Sequence, residues 1–160
     1  MRYLLGALTV LMLCITGCNT KTSDQGNTET ETTSQVNYDC AFCGMPSQEY
    51  PKWNANTTSQ DGTEKHYCSS RCLFVAITET KEMAESLKTV NVTDYYTLKK
   101  TDGKSAYYVS GSDITGPMGK GFVAFSSKEA ADEFSKDHNG KQVLTFEEID
   151  LEAVKASIED

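Results

Sequence analysis

Two pairs of cysteines constrain this chain more than any other feature. Cys40 and Cys43 form a Cys-x-x-Cys pair, and Cys68 and Cys72 form a Cys-x-x-x-Cys pair. A spacing of two residues lets a tight turn direct both sulfurs at one point, and thiolates prefer Zn(II), Cu(I) and other soft metals. Four such residues in one domain therefore predict a fold built around one metal site or around two disulfides.

A redox-active Cys-x-x-Cys is the third alternative for the first pair. Redox pairs of the thioredoxin type open a helix after an apolar strand, and that context is absent around Cys40. Ser69 and Ser70 predict the N-cap of a helix whose first turn contains Cys72. A helix N-terminus stabilises a thiolate and eases metal loading, so a metal site is the favoured interpretation.

The first 37 residues predict a lipoprotein leader and tether. Residues 1–17 have the basic start and short apolar core of a signal peptide. The sequence Ile-Thr-Gly-Cys ending at Cys18 resembles a bacterial lipobox, which predicts cleavage before Cys18 and a lipid on its sulfur; an ordinary secretory signal is the alternative. Residues 18–37 are rich in Thr, Ser, Asn, Gln and Glu and predict a disordered linker. The expected location is the cell envelope, on the periplasmic face of a membrane reached through the lipid anchor only.

The net charge limits the class of partner. The chain carries a formal charge of −8. Nucleic acids and anionic membrane surfaces attract basic proteins, so no nucleic-acid partner is expected.

The remaining chain predicts an α+β fold of two small pseudo-symmetric ββαβ units, residues 38–100 with the cysteines and residues 101–160. A register that matches Cys68 with Phe125 aligns a strand, a Ser-Ser pair and a helix in each unit. Ser126 is the predicted cap of the second helix, with Glu129 completing a capping box. The predicted strands are 53–58, 64–68, 90–98, 105–110, 122–125 and 142–146, and further helices are predicted at 81–88 and 147–158.

Two methionines and a histidine extend the set of candidate ligands. Met45 follows Cys43 by two residues, and Met118 lies in a Gly-Pro-Met-Gly loop. Thioethers bind Cu(I) but hardly Zn(II), so these residues favour copper, although methionines also fill gaps in apolar cores. His66 and Cys68 alternate on a predicted strand and face the same side, which makes His66 a candidate ligand or a half-exposed strand residue.

Together these motifs resemble the NosL family of lipoproteins, which are accessory to nitrous oxide reductase maturation. The likeness runs over residues 38–150 and is carried by the lipobox at Cys18, Cys40-Ala-Phe-Cys43-Gly-Met45, Tyr67-Cys68-Ser-Ser-Arg-Cys72 and Gly116-Pro-Met-Gly119. The second cysteine pair is not a feature of every member. With the first pair it resembles the TRASH-type heavy-metal module.

The resemblance implies a copper chaperone rather than an enzyme. Members look like Cu(I) carriers that supply the metal centres of nitrous oxide reductase in denitrification, through a membrane ABC-type assembly complex. The resemblance implies three copper ligands at the positions that match the family's motifs: Cys43, Met45 and Met118. Three alternatives stay open: Zn(II) in the four-cysteine cluster, a thiol-disulfide oxidoreductase of the cell envelope, and a zinc module for protein binding.

Overall fold

A computed structural model describes residues 37–79 and 81–159 of the chain. The predicted signal peptide, the predicted lipidation site Cys18 and nearly all of the predicted linker lie outside the described residues. Within the described ranges, no helix combines the length and the apolar character needed to cross a membrane.

The described chain has seven strands and four α-helices, together with short 3-10 helices at Ser47–Glu49 and Phe146–Glu148. The strands are β1 (Ala55–Ser59), β2 (Glu64–Tyr67), β3 (Leu87–Thr93), β4 (Lys100–Asp102), β5 (Tyr107–Ser110), β6 (Val123–Phe125) and β7 (Gln142–Thr145). The α-helices are α1 (Ser70–Thr78), α2 (Lys81–Glu85), α3 (Lys128–Asp137) and α4 (Leu151–Glu159).

The strands form two antiparallel sheets with matching topology. The first sheet has the order β2-β1-β3-β4 and the second has the order β6-β5-β7. In each, the first strand is central, the second and third strands flank it, and a helix follows the second strand. This confirms the predicted α+β fold with a repeated ββαβ plan. The division of the chain into two units at residue 100 stays a prediction. Strand β4 spans that position and adds a further strand to the first sheet.

The strand register corrects the predicted correspondence by one residue. Ala55 pairs with Tyr67 in the first sheet, and Tyr107 pairs with Phe125 in the second. Phe125 therefore corresponds to Tyr67 rather than to Cys68. Both aromatic residues are buried, because each points into the core from the strand that precedes a helix.

Several predicted element ends are wrong, and Asp94 explains two of them. This buried carboxylate accepts hydrogen bonds from the backbone N–H groups of Tyr96 (3.1 Å) and Thr97 (2.7 Å), which turns the chain after Thr93. The predicted strand 90–98 therefore ends early. Asp94 also accepts from the backbone N–H and hydroxyl of Ser126, at 2.7 and 2.8 Å, so Ser126 does not cap α3.

The caps and bounds of three helices also differ from the prediction. Ser127 caps α3 by accepting from the N–H of Ala130, and the capping box is instead formed by Thr145 and Glu148 around the second 3-10 helix. That 3-10 turn delays the terminal helix to Leu151. The predicted helix 81–88 ends at Glu85, because the chain is already extended in β3 from Leu87.

Helix α1 joins the two halves of the core. Its residue Phe74 is fully buried, with ring centroids 4.8 Å from Tyr108 and 5.1 Å from Phe122 in edge-on contacts. Tyr108 and Phe122 belong to the second half of the chain, so the main hydrophobic cluster draws on both halves. The start of α1, which carries the second cysteine pair, is therefore held on a rigid core.

Candidate metal centre

The four cysteines converge at one place, although they come from two separate segments. Their sulfur atoms all lie within 4.8 Å of one another. Cys40, Cys68 and Cys72 are buried, with 3%, 0% and 0% of their surface exposed, and Cys43 is half-buried. All four thiols are free. A ligand from outside therefore meets the cluster first at Cys43.

A tight turn directs the first pair inward. The N–H of Cys40 donates to the carbonyl of Met45 (2.7 Å), and the N–H of Gly44 donates back to the carbonyl of Cys40 (2.8 Å). Gly44 has φ +76°, a left-handed conformation that glycine adopts without steric cost. The N–H of Ala41 donates to the carbonyl of His66 (2.8 Å), which attaches the turn to β2. The sequence Cys-x-x-Cys-Gly thus encodes the turn locally.

The second pair is positioned by the junction of β2 and α1. Cys68 follows the last residue of β2, and Ser69 is the N-cap of α1. The Ser69 hydroxyl accepts from the N–H of Cys72 at 3.3 Å. Cys72 is therefore fixed in the first turn of the helix, where the macrodipole favours negative charge.

The sulfur–sulfur separations match those of ligands around one ion. Cys68 and Cys72 are 3.5 Å apart, Cys43 and Cys68 are 3.6 Å apart, and Cys43 and Cys72 are 3.8 Å apart. A tetrahedral ion with metal–sulfur bonds of about 2.3 Å separates its ligands by about 3.8 Å. The donor set is soft and preformed, so the cluster fits Zn(II) or Cu(I).

Hydrogen bonds between the thiols make their acidities unequal. The pKa of Cys68 is lowered to about 6, chiefly by its hydrogen bond with the Cys72 thiol, with further hydrogen-bonding groups around it. The same hydrogen bond raises the pKa of Cys72. Burial raises the pKa of Cys43 to about 11. Among these three thiols Cys68 is thus the most acidic, and the thiolate is the form that binds metal.

The two predicted thioether ligands border the same hydrophobic core as the buried cysteines. Met45 and Met118 are half-buried and pack against the hydrophobic cluster that contains Cys40, Cys68 and Cys72. Met45 follows the first pair directly. The ligand roles of both methionines stay predictions.

Arg71, a residue that the sequence motifs did not single out, links the Met118 loop to the helix that carries Cys72. Arg71 lies in α1 directly before Cys72, and its Nη1 donates to the carbonyls of Met118 and Lys120. In the sequence, the feature that could have indicated this role is the position of Arg71, a cation between the two cysteines of the second pair.

His66 lies outside the group of four sulfurs found among the described residues. Its ring packs 4.7 Å from that of Tyr38, and its Nε2 is 3.7 Å from a carboxylate oxygen of Glu64. The backbone of His66 supports the site by holding the turn of the first pair. Its role as an additional ligand stays a prediction.

Comparisons with known proteins agree with the motifs. The sequence model of the NosL family matches residues 31–154. The copper-binding lipoprotein NosL of Stutzerimonas stutzeri is 26% identical over 153 residues, which cover 91% of this chain and 80% of that protein. The crystal structure of the copper chaperone NosL from Shewanella denitrificans superposes with a TM-score of 0.65 at 28% identity, covering 71% of this chain and 90% of the other. The resemblance inferred from the sequence is confirmed, and the chain belongs to the NosL family.

Proposed function

We propose that this protein is a membrane-anchored Cu(I) metallochaperone that delivers copper for assembly of the metal centres of nitrous oxide reductase. The observation that carries the proposal is the cluster of four free thiols, with separations of 3.5 to 3.8 Å among Cys43, Cys68 and Cys72. Relatives described as a copper-binding lipoprotein and a copper chaperone support copper as the cargo.

The ligands act in a defined order. The Cys68 thiolate captures Cu(I), and Cys43 and the thioethers of Met45 and Met118 complete a soft site. Cys43 is the half-buried sulfur, so a ligand of the partner attacks the metal there before the buried Cys68 thiolate releases it. No covalent bond of a substrate is made or broken, so the protein acts as a carrier and not as an enzyme.

The lipid tether and the membrane assembly complex are part of the same proposal. A lipid on Cys18 would hold the domain at the periplasmic face of a membrane, and residues 18–37 would give it reach. Confinement at the membrane raises the effective concentration of the loaded carrier near a membrane ABC-type assembly complex. A relative described as a lipoprotein supports the anchor.

An anaerobic Cu(I) titration of the mature domain against a chromophoric Cu(I) chelator tests the proposal. We expect one tightly bound Cu(I), with affinity reduced in Cys68→Ser and in Met118→Leu. Met83→Leu is the matched control, because it makes the same change on α2. A chain that leaves all Cu(I) on the chelator, or whose Cu(I) affinity survives joint replacement of Cys43, Cys68 and Cys72 by serine, would refute the carrier.

A zinc module is the second candidate, and the near-tetrahedral sulfur separations favour it. A structural zinc would be retained through aerobic purification, and its removal by a chelator would unfold the domain. Metal analysis of protein produced with both metals in the medium decides between them. Copper bound to protein that also folds without metal supports the carrier, whereas zinc with unfolding on chelation supports the module.

A further inference from the structure

Arg71 connects the four-thiol cluster to the loop that carries Met118. It occupies the position before Cys72 in the first turn of α1, and its guanidinium Nη1 donates to the backbone carbonyls of Met118 and, at 3.3 Å, Lys120. Two acceptors on alternate residues hold the loop at two points. The loop that carries Met118 is therefore attached to the helix turn that carries Cys72.

The loop has the shape needed for this contact. Gly116 and Gly119 exchange backbone hydrogen bonds of 2.9 and 3.0 Å, which closes a tight turn around Pro117 and Met118. A Cβ at Gly121 would lie 2.7 Å from the Cβ of Arg71, closer than side-chain carbons approach one another. A glycine at this position therefore lets the backbone lie directly against the Arg71 side chain.

We infer that Arg71 is a positioning residue that holds the Met118 thioether at the four-thiol cluster and so makes the cluster prefer Cu(I) over Zn(II). The inference rests on the proposed Cu(I) carrier function. Thioethers bind Cu(I) and hardly bind Zn(II), so a residue that controls only the position of Met118 changes the affinity for copper alone. Arginine suits this role because its planar guanidinium donates hydrogen bonds in fixed directions, whereas the lysine ammonium is a point charge on a flexible chain.

The test compares two metals in matched variants. Arg71→Gln, Met118→Leu and the double variant are titrated anaerobically with Cu(I) and separately with Zn(II). We expect Arg71→Gln to weaken Cu(I) binding by about 10- to 100-fold, the usual effect of losing a residue that orients a ligand. Zn(II) affinity stays within about twofold, because thioethers hardly contribute to it. The double variant binds Cu(I) as Met118→Leu does, since both changes remove the same interaction.

A spectroscopic signature separates positioning from general loss of structure. With ¹³C-methyl-labelled methionine, the Met118 methyl resonance shifts when Cu(I) binds the unaltered chain. In metal-free Arg71→Gln it moves or broadens while the Met83 resonance stays unchanged. Lys65→Gln on β2 removes the same charge without touching the loop, and it leaves Cu(I) affinity and the Met118 resonance unchanged. If Arg71→Gln does not fold, Arg71→Lys keeps the charge and is expected to show a smaller, still copper-specific loss.

Three results would overturn the inference while the carrier function stands. They are equal weakening of Cu(I) and Zn(II) in the Arg71 variant, unchanged Cu(I) affinity in that variant, and losses for Arg71→Gln and Met118→Leu that simply add. If the unaltered chain binds no Cu(I), the proposed function itself fails and the inference fails with it.

Discussion

The clearest quantitative test of the cluster is the pH dependence of its metal affinity. If Cys43, Cys68 and Cys72 bind one ion, the ion must displace the proton of every thiol that is protonated in the metal-free protein. Burial raises the pKa of Cys43 to about 11, and the hydrogen bond with Cys68 raises the pKa of Cys72, whereas the pKa of Cys68 is lowered to about 6. Between pH 6.5 and 9, metal binding therefore releases at least two protons, from Cys43 and Cys72.

The release of two protons determines both the direction and the size of the change in metal affinity with pH. Metal competes with protons, so affinity rises with pH, by about 100-fold or about 2.7 kcal/mol for each pH unit. Below pH 6 the dependence steepens, because Cys68 is then protonated as well. The assay is Zn(II) competition with a chelator of known pH dependence, run at half-unit steps under reducing conditions.

Two variants make this prediction refutable. Cys43→Ser removes one displaced proton, so the slope of log affinity against pH falls by about one. Lys65→Gln leaves every thiol in place and keeps the slope of the unaltered chain. A slope of about one or less in the unaltered chain would show that Cys43 and Cys72 do not both bind the ion, and an unchanged slope in Cys43→Ser would remove Cys43 from the site.

Three further perturbations test the framework of the site. Gly44→Ala places a side chain at φ +76°, which costs about 1–2 kcal/mol and weakens metal binding; equal urea midpoints and equal Zn(II) affinity would contradict the role of this turn. Asp94→Asn leaves an N–H of Thr97 or Ser126 without its acceptor and destabilises the fold by about 2–3 kcal/mol in urea unfolding. Burial raises the pKa of Asp94, but these hydrogen bonds outweigh it and lower the pKa. Asp94 therefore stabilises the fold above about pH 3.9, and this stabilisation is lost as the pH falls through the lower pKa of the folded state. An equal decrease in the free energy of unfolding for the variant at pH 2 and at pH 7 would contradict this role. Phe74→Ala empties a fully buried site and costs about 3–5 kcal/mol, measured by thermal unfolding, and a loss below 1 kcal/mol would contradict the shared core.

Local signals were sufficient to predict much of the fold. The ββαβ plan was predictable because β-branched and aromatic residues mark strands and serine marks helix starts within a few residues. The ends of β3 and α3 were not predictable in this way. Asp94 and Ser126 are far apart in sequence, and their hydrogen bonds shorten the strand and leave the capping of α3 to Ser127.

The candidate donors of the site, two cysteine pairs and nearby methionines, can be identified in the amino-acid sequence, as can the glycine that closes the first turn. These are covalent properties of the chain, and the turn and the helix cap act over a few residues. The tertiary structure decided the rest. It brought the sulfurs within 4.8 Å, left His66 outside that group, and placed Arg71 between Cys72 and the Met118 loop. It also made Cys68 the acidic thiol, because a pKa depends on which hydrogen-bond donors and how much solvent the fold places around the sulfur.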